Sequence, residues 1–157
     1  MAAAAGGGEV VIETATAADH DELADLYLAS RADALAYLRR VHSDEDIRAW
    51  IGWHVLAKGV TWVARARGRI VGFLNLQGED LDQLYLLPGF YRQGVGTRLL
   101  AMAKAASPRR LELYTFQRNT RARAFYESHG FTARRFGDGT GNEEGEPDVF
   151  YVWESAD

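Results

Sequence analysis

The sequence predicts an α/β domain folded around a mixed sheet. Segments of strand-like and helix-like period follow one another in the order β-α-α-β-β-β-α-β-α-β-β. All three prolines (Pro88, Pro108 and Pro147) fall at the joints between them. The 47% hydrophobic and 25% charged content is the balance of a globular domain. At 157 residues the chain has the length of one domain, enough to bury roughly 70% of the surface it exposes when unfolded.

Each element has a local reason. Val10 to Thr16 is a β-branched run and reads as the first strand. Asp19 is placed to cap a helix in which Leu23, Leu26, Tyr27, Ser30 and Ala34 recur at helical spacing. Ser43, with Asp46 three residues on, opens a second helix carrying Ile47, Trp50, Ile51 and His54 on one stripe, and Gly59 closes it. Val60 to Ala66 and Arg69 to Leu76 flank Arg67-Gly68-Arg69 as a hairpin. Leu81 to Leu87 is a strand stopped by Pro88-Gly89, and a helix runs from Val95 until Pro108. Arg110 to Phe116 is a strand, Thr120 to His129 a helix ended by Gly130, and Phe131 to Phe136 a strand. After a polar Gly/Asp/Glu loop, Val149 to Trp153 is the last strand. Residues 1–8 form an Ala/Gly tract without the cationic and leucine-rich regions of a signal peptide. They are expected to be a disordered leader before a single domain over 9–157.

Several function classes are set aside by composition. Cysteine is absent, which removes disulfides, thiolate metal sites and a cysteine nucleophile. Eighteen basic against 22 acidic residues, a net charge of −4, argues against a nucleic-acid partner. No apolar run reaches the roughly 18 residues of a membrane helix, so no membrane partner and a cytoplasmic location are expected. His42 and His54 do not have the spacing of a metal site, and no metal is expected.

The segment richest in chemistry is Leu81-Asp-Gln-Leu-Tyr-Leu-Leu-Pro-Gly-Phe-Tyr-Arg-Gln-Gly-Val-Gly-Thr-Arg-Leu-Leu100. A strand ends, a short loop follows, and the first turn of a helix holds Gly94 and Gly96. Glycine there lets a ligand approach the backbone, and unpaired first-turn N–H groups at the positive end of the helix dipole bind phosphate. Arg92 and Arg98 are placed to add charge. The stretch lacks the Gly-Lys-Ser/Thr of a Walker loop, and Leu99 stands where a dinucleotide fingerprint has its third small residue. By spacing alone, an incidental helix N-terminus or a dinucleotide module remains open.

Downstream lies Asn119-Thr-Arg-Ala-Arg-Ala-Phe-Tyr126-Glu-Ser-His-Gly130-Phe131. Together with the Gly-Val-Gly turn and the Leu-Tyr-Leu-Leu-Pro strand before it, this resembles the GNAT superfamily of acetyl-CoA-dependent N-acetyltransferases, from about Val10 to Trp153. The resemblance implies a mostly antiparallel mixed sheet of about seven strands flanked by about four helices. It further implies a splayed strand at Leu84, Tyr85 and Leu86 that bonds the pantetheine arm of acetyl-CoA, a mode akin to strand addition. The pyrophosphate would rest on the amides of Arg92, Gln93, Gly94, Val95, Gly96 and Thr97. Asn119, Ala122, Phe125 and Tyr126 complete the coenzyme set. The family has Gln or Arg where this chain has Tyr91, which leaves the backbone amides as the main phosphate contacts.

The same resemblance implies that the Tyr126 hydroxyl protonates the departing thiolate. A phenol is a suitable donor to a thiolate of slightly lower pKa, although Ala122, Phe125, Tyr126 and His129 also share one helix face that packing alone explains. His129, before Gly130, sits where the helix dipole favours a cation. Asp80 and Asp82 are candidate bases for the amine proton, on one strand face with Leu84 and Leu86 by period two; they also fit a solubilised strand end. Asp80 matches the place of the glutamate in histone-type members, with Glu79 and His54 next in line. Tyr114 stands where ribosomal-protein acetyltransferases carry a glutamate. Trp50, Trp53 and His54, with Glu143, Glu144 and Glu146 in the loop from Asp138 to Asp148, are placed to wall an amine-acceptor site. The tryptophans fit a core equally well, and the glutamates a solvated loop. The implied reaction is direct acetyl transfer to a primary amine of a small molecule, peptide or protein, the alternative being a non-catalytic acyl-CoA sensor. Homodimers are common in the superfamily.

Overall fold

The computed structural model describes residues 9–156; the expected leader at 1–8 lies outside them. The order of elements is the expected one. β1 (Val10–Thr14), α1 (His20–Ala34) and α2 (Asp44–Trp50) are followed by β2 (Val60–Ala66), β3 (Arg69–Gln77) and β4 (Asp80–Leu86). Then come α3 (Val95–Ala106), β5 (Arg110–Phe116), α4 (Thr120–Ser128), β6 (Thr132–Phe136) and β7 (Asp148–Glu154). The strands form one sheet in the order β1-β2-β3-β4-β5-β7-β6. Every neighbouring pair is antiparallel except β4 and β5, which run parallel and are joined at a single register pair, Asp80 opposite Glu112. Beyond that pair the two strands part, leaving the backbone of Leu84–Leu86 without a ladder on its β5 side.

Local chemistry accounts for the ends of these elements. Arg67 and Gly68, both with positive φ, make the two-residue β2–β3 turn, whose twist matches that of the strands. Ser43 accepts a hydrogen bond from the Asp46 amide at 3.1 Å and caps α2. The stripe beyond α2 is wider than expected, because the helix runs on into a π turn at Ile51–Val55, with Leu56 N–H bonded to Ile51 C=O at 2.9 Å. The first strand is shorter than expected and gives way to a 3₁₀ turn at Ala17–Asp19. Asp19 does not cap α1 with its side chain. Its carboxylate accepts from the Thr16 amide at 2.9 Å and pairs with Arg65, an electrostatic partner that local sequence does not reveal.

One expectation about β4 is corrected. A bulge falls at Asp82: Gln83 faces Asn75 and Leu81 faces Leu76, so one extra residue of β4 is left between them. Leu81, Leu84 and Leu86 therefore share one face. Leu86 meets α3 there: a Cβ added to Gly72 would lie 2.5 Å from Leu86 and 3.3 Å from Leu99. Asp80, Gln83 and Tyr85 take the opposite face with Gln77, Asn75 and Phe73. Asp80 and Asp82 are thus not aligned with Leu84 and Leu86. The core is continuous across the sheet, with Leu23, Leu26, Phe73, Leu74, Leu99, Leu113 and Tyr151 all fully or almost fully buried.

Candidate active site

Where β4 and β5 part, a cavity of about 660 Å³ opens. Leu84, Tyr85 and Leu86 form one wall, Arg92, Gly94, Gly96 and Thr97 an end, and Asn119, Ala122, Phe125 and Tyr126 the other wall. We call it the loop cavity. The two glycines serve it for different reasons. Gly94 is the N-cap of α3 with φ 83°, and a Cβ there would meet nothing within 4 Å; the constraint is the left-handed backbone, which side chains disfavour. Gly96 is needed for close approach, since a Cβ would lie 3.2 Å from the Phe125 ring. Intrahelical bonding begins with Arg98 N–H to Gly94 C=O at 3.0 Å, so the amides of Val95, Gly96 and Thr97 have no intrahelical acceptor and suit an anion.

Side chains around this loop separate into those that face the cavity and those that do not. Arg92 lines it, with a left-handed φ of 63°. Arg98, expected to add charge, instead donates to the Val10 carbonyl across the sheet edge. Gln93 is bonded to Gly89 C=O at 2.7 Å and Val95 is in the core, which leaves only their amides for a ligand. Tyr91 lines the cavity, donates to Asp33 at 3.2 Å and lies under the Arg121 guanidinium at 4.1 Å, joining α1 to α4. His129 does more than stand at a helix end: its Nδ1 meets Phe125 C=O at 2.8 Å and its Nε2 meets Thr97 Oγ1 at 3.0 Å. The end of α4 is thereby pinned to the first turn of α3.

Asn119 accepts from the Ala122 amide at 3.2 Å and starts α4, which presents Phe125 and Tyr126. Tyr126 is 7% exposed, packed against Phe125, Phe131 and Tyr151. Burial pushes its phenol pKa upward, so it is a protonated donor at neutral pH. Its ring is core-like, yet the residue lines the cavity.

A second cavity, also about 660 Å³, lies between α1, α2 and the β6–β7 loop. Trp50 and Trp53 line it, as do Glu143 and Glu144, so the expected aromatic and acidic groups do converge. Trp53 is 57% exposed, not a core residue. The acids are not free, however. Glu144 pairs with Arg31 at 2.8 Å, both largely buried, and Glu143 with His42 at 2.9 Å. Glu146 is turned away into a two-point contact with Arg118 at 2.9 Å. Arg31 also donates to the Tyr27 hydroxyl at 3.0 Å. Tyr27, Arg31 and Phe116 had no signal in the sequence beyond an ordinary helix face and a strand end.

The candidate bases line neither cavity. Asp82 bonds His54 Nε2 at 2.8 Å and Gln83 Nε2 at 3.1 Å, and His54 stacks on Trp50 at 5.1 Å. Gln83 and Trp50 do line the aromatic cavity, and they connect it to this polar group. The Asp80 carboxyl, crowded at the closed end of the β4–β5 fork, is pushed up to about 6 by partial burial and then by the charges of Asp82 and Glu112. Glu79 lies in the turn before β4, 3.4 Å from Arg110. Tyr114 is exposed and receives a hydrogen bond from Arg135.

Comparison with known proteins agrees with this geometry. The acetyltransferase (GNAT) domain family matches residues 57–133. An uncharacterized N-acetyltransferase of Mycobacterium tuberculosis is 42% identical over 77 residues, 43% of this chain and 49% of that protein. The peptidyl-lysine N-acetyltransferase YjaB of Salmonella typhimurium is 35% identical over 77 residues, 48% of this chain and 52% of that protein. The match thus spans about half the length of these curated relatives. Among solved structures, apo YjaB from Escherichia coli superposes with a TM-score of 0.77 at 22% identity, over 94% of this chain and 99% of that one. The PaiA N-acetyltransferase of Thermoplasma acidophilum, solved with coenzyme A, gives 0.70 at 20%, over 93% and 99%. Residues 57–133, which span the forked β4 and β5, match the GNAT acetyltransferase domain family, and the chain has the fold of these GNAT neighbours.

Proposed function

We propose that the protein transfers the acetyl group of acetyl-CoA directly to the amine of an acceptor. The observation that carries this reading is the forked β4–β5 pair, with an anion-binding helix end on one side and a second cavity meeting it at Tyr85. The residues present fit coenzyme A. Open space at Gly94 and the free amides of α3 suit a diphosphate, and the unladdered edge of Leu84–Leu86 suits the amides of a pantetheine arm.

Tyr126 is the proposed acid: it is protonated, faces the loop cavity, and makes no hydrogen bond with its hydroxyl among the described residues. Asp80 and Asp82 are the proposed bases, reached from the aromatic cavity through water beside Gln83. A carboxylate lifted to about 6 is ionised at neutral pH yet basic enough to accept a proton. The amine enters by the aromatic cavity, between Trp50 and Trp53. A peptide lysine heads the acceptors to test, as the curated relative YjaB is a peptidyl-lysine enzyme.

The test is thiol release from acetyl-CoA across a panel of small amines, peptides and proteins, with product mass as confirmation. Amine-dependent release with a 42 Da gain in product mass, the ordinary increment of an acetyl group, is expected. Tight coenzyme binding with no turnover on any amine would return the sensor alternative.

A further inference from the structure

Tyr85 is the one residue that the loop cavity and the aromatic cavity share. Its position follows from the bulge at Asp82, which turns Leu84 and Leu86 toward α3 and Tyr85 toward α1. The ring is held on two sides. Tyr27 meets it edge-on at 5.0 Å, and Phe73 lies nearly parallel at 6.0 Å. Tyr27 is itself fixed by Arg31, and Arg31 by Glu144 of the β6–β7 loop. These contacts together favour one position of the ring.

If a thioester enters from one cavity and an amine from the other, the reacting carbonyl lies where the two meet. Tyr126 lines the loop cavity together with Tyr85. Tyr85, which lines both cavities, is then the side chain placed to meet the acyl group at that junction. We infer that Tyr85 is a specificity-determining residue that limits the acyl group to acetyl, an inference resting on the reading of the loop cavity as an acyl-CoA site. A methyl group fits against a fixed ring, whereas each further methylene needs space that the braced ring occupies. One methylene in a closed apolar site changes selectivity about 10-fold or more.

The experiment is direct binding of coenzyme A, acetyl-CoA, propionyl-CoA and butyryl-CoA to the full chain, and to Tyr85→Phe, Tyr85→Leu and Tyr85→Ala. It needs no acceptor. The unmodified protein and Tyr85→Phe are expected to bind acetyl-CoA about 10-fold or more tightly than butyryl-CoA. In Tyr85→Ala, and by a smaller margin in Tyr85→Leu, that preference should fall to about 3-fold or less, read as the ratio of the acetyl-CoA and butyryl-CoA dissociation constants of the same variant. Tyr85→Leu keeps an apolar side chain against Phe73 and serves if the alanine variant does not fold. Undiminished discrimination in the truncated variants, or none in the unmodified protein, overturns the inference. Failure of the unmodified protein to bind coenzyme A would overturn the acyl-CoA reading beneath it.

Discussion

The loop cavity takes one wall and its end from a single stretch of chain, β4 through the first turn of α3, and its other wall from α4. The aromatic cavity draws on α1, α2, the middle of β4, the end of β5 and the β6–β7 loop. The first offers mainly backbone, in the form of amides at a helix end and an unladdered strand edge. The second offers side chains, whose charges are paired across elements by Arg31–Glu144 and His42–Glu143. On the proposed reading, a ligand held by backbone would tolerate side-chain change in this loop, including at Tyr91. A ligand held by paired side chains would not, and on the proposed reading acceptor choice would reside there.

The largest effect expected on this comparison is chemical. Tyr126→Phe should leave coenzyme affinity nearly unchanged while the single-turnover rate falls about 10²-fold, the low end for lost general-acid help because a thiolate leaves readily. Matching rates would make Tyr126 a packing residue only. Next is Gly94→Val. With ligand at about 100 times its dissociation constant, the unmodified protein should gain roughly 2.7 kcal/mol of stability. The variant should gain none, since valine disfavours φ 83° and its branches enter the open space at the helix end. A full melting shift in Gly94→Val would remove the loop from the site.

The aromatic cavity should respond in a different parameter. Arg31→Met leaves the largely buried Glu144 carboxylate, and Glu144→Gln the Arg31 guanidinium, without an opposite charge, at a cost of about 1–3 kcal/mol in stability. Combined, they should show a coupling of about 1 kcal/mol. Acceptor KM should rise and coenzyme affinity stay unchanged; a change in coenzyme affinity alone would erase the distinction between the cavities.

The smallest effect is that of Asp80→Asn. The native carboxyl titrates near 6, above the usual value near 4, so its ionisation costs the folded state. Its stabilising contribution is complete below about pH 4 and is lost as pH rises through 6. The variant should therefore be the more stable at pH 8, by less than about 1 kcal/mol because the residue, though its carboxyl is partly shielded, is open to solvent screening, and no more stable at pH 4. If Asp80 takes the amine proton, the same change should slow turnover most near neutral pH and least at high pH. An unaltered pH–rate profile would leave the proton to Asp82 and His54.

Much of this molecule could be read without its fold. Ser43 and Asn119 were visible as caps and Arg67-Gly68 as a turn, because caps and turns depend on neighbours a few residues away; Gly94, Gly96 and Tyr126 were joined into one set only by the resemblance to a known family. The bulge at Asp82 was not, since it is a mismatch between β3 and β4 and exists only once they pair. The roles of Arg98, Asp19 and Glu146 escaped for the same reason: each is decided by a partner 28 or more residues distant. The sequence by itself determined the elements, their order and the glycine-containing turn that opens α3, through backbone preferences that act locally. Tertiary structure alone decided where β4 and β5 part, which charges pair around the aromatic cavity, and that Tyr85 stands between the two cavities. Those depend on long-range packing, in which a shift of one residue along β4 sends a side chain to the opposite face of the sheet.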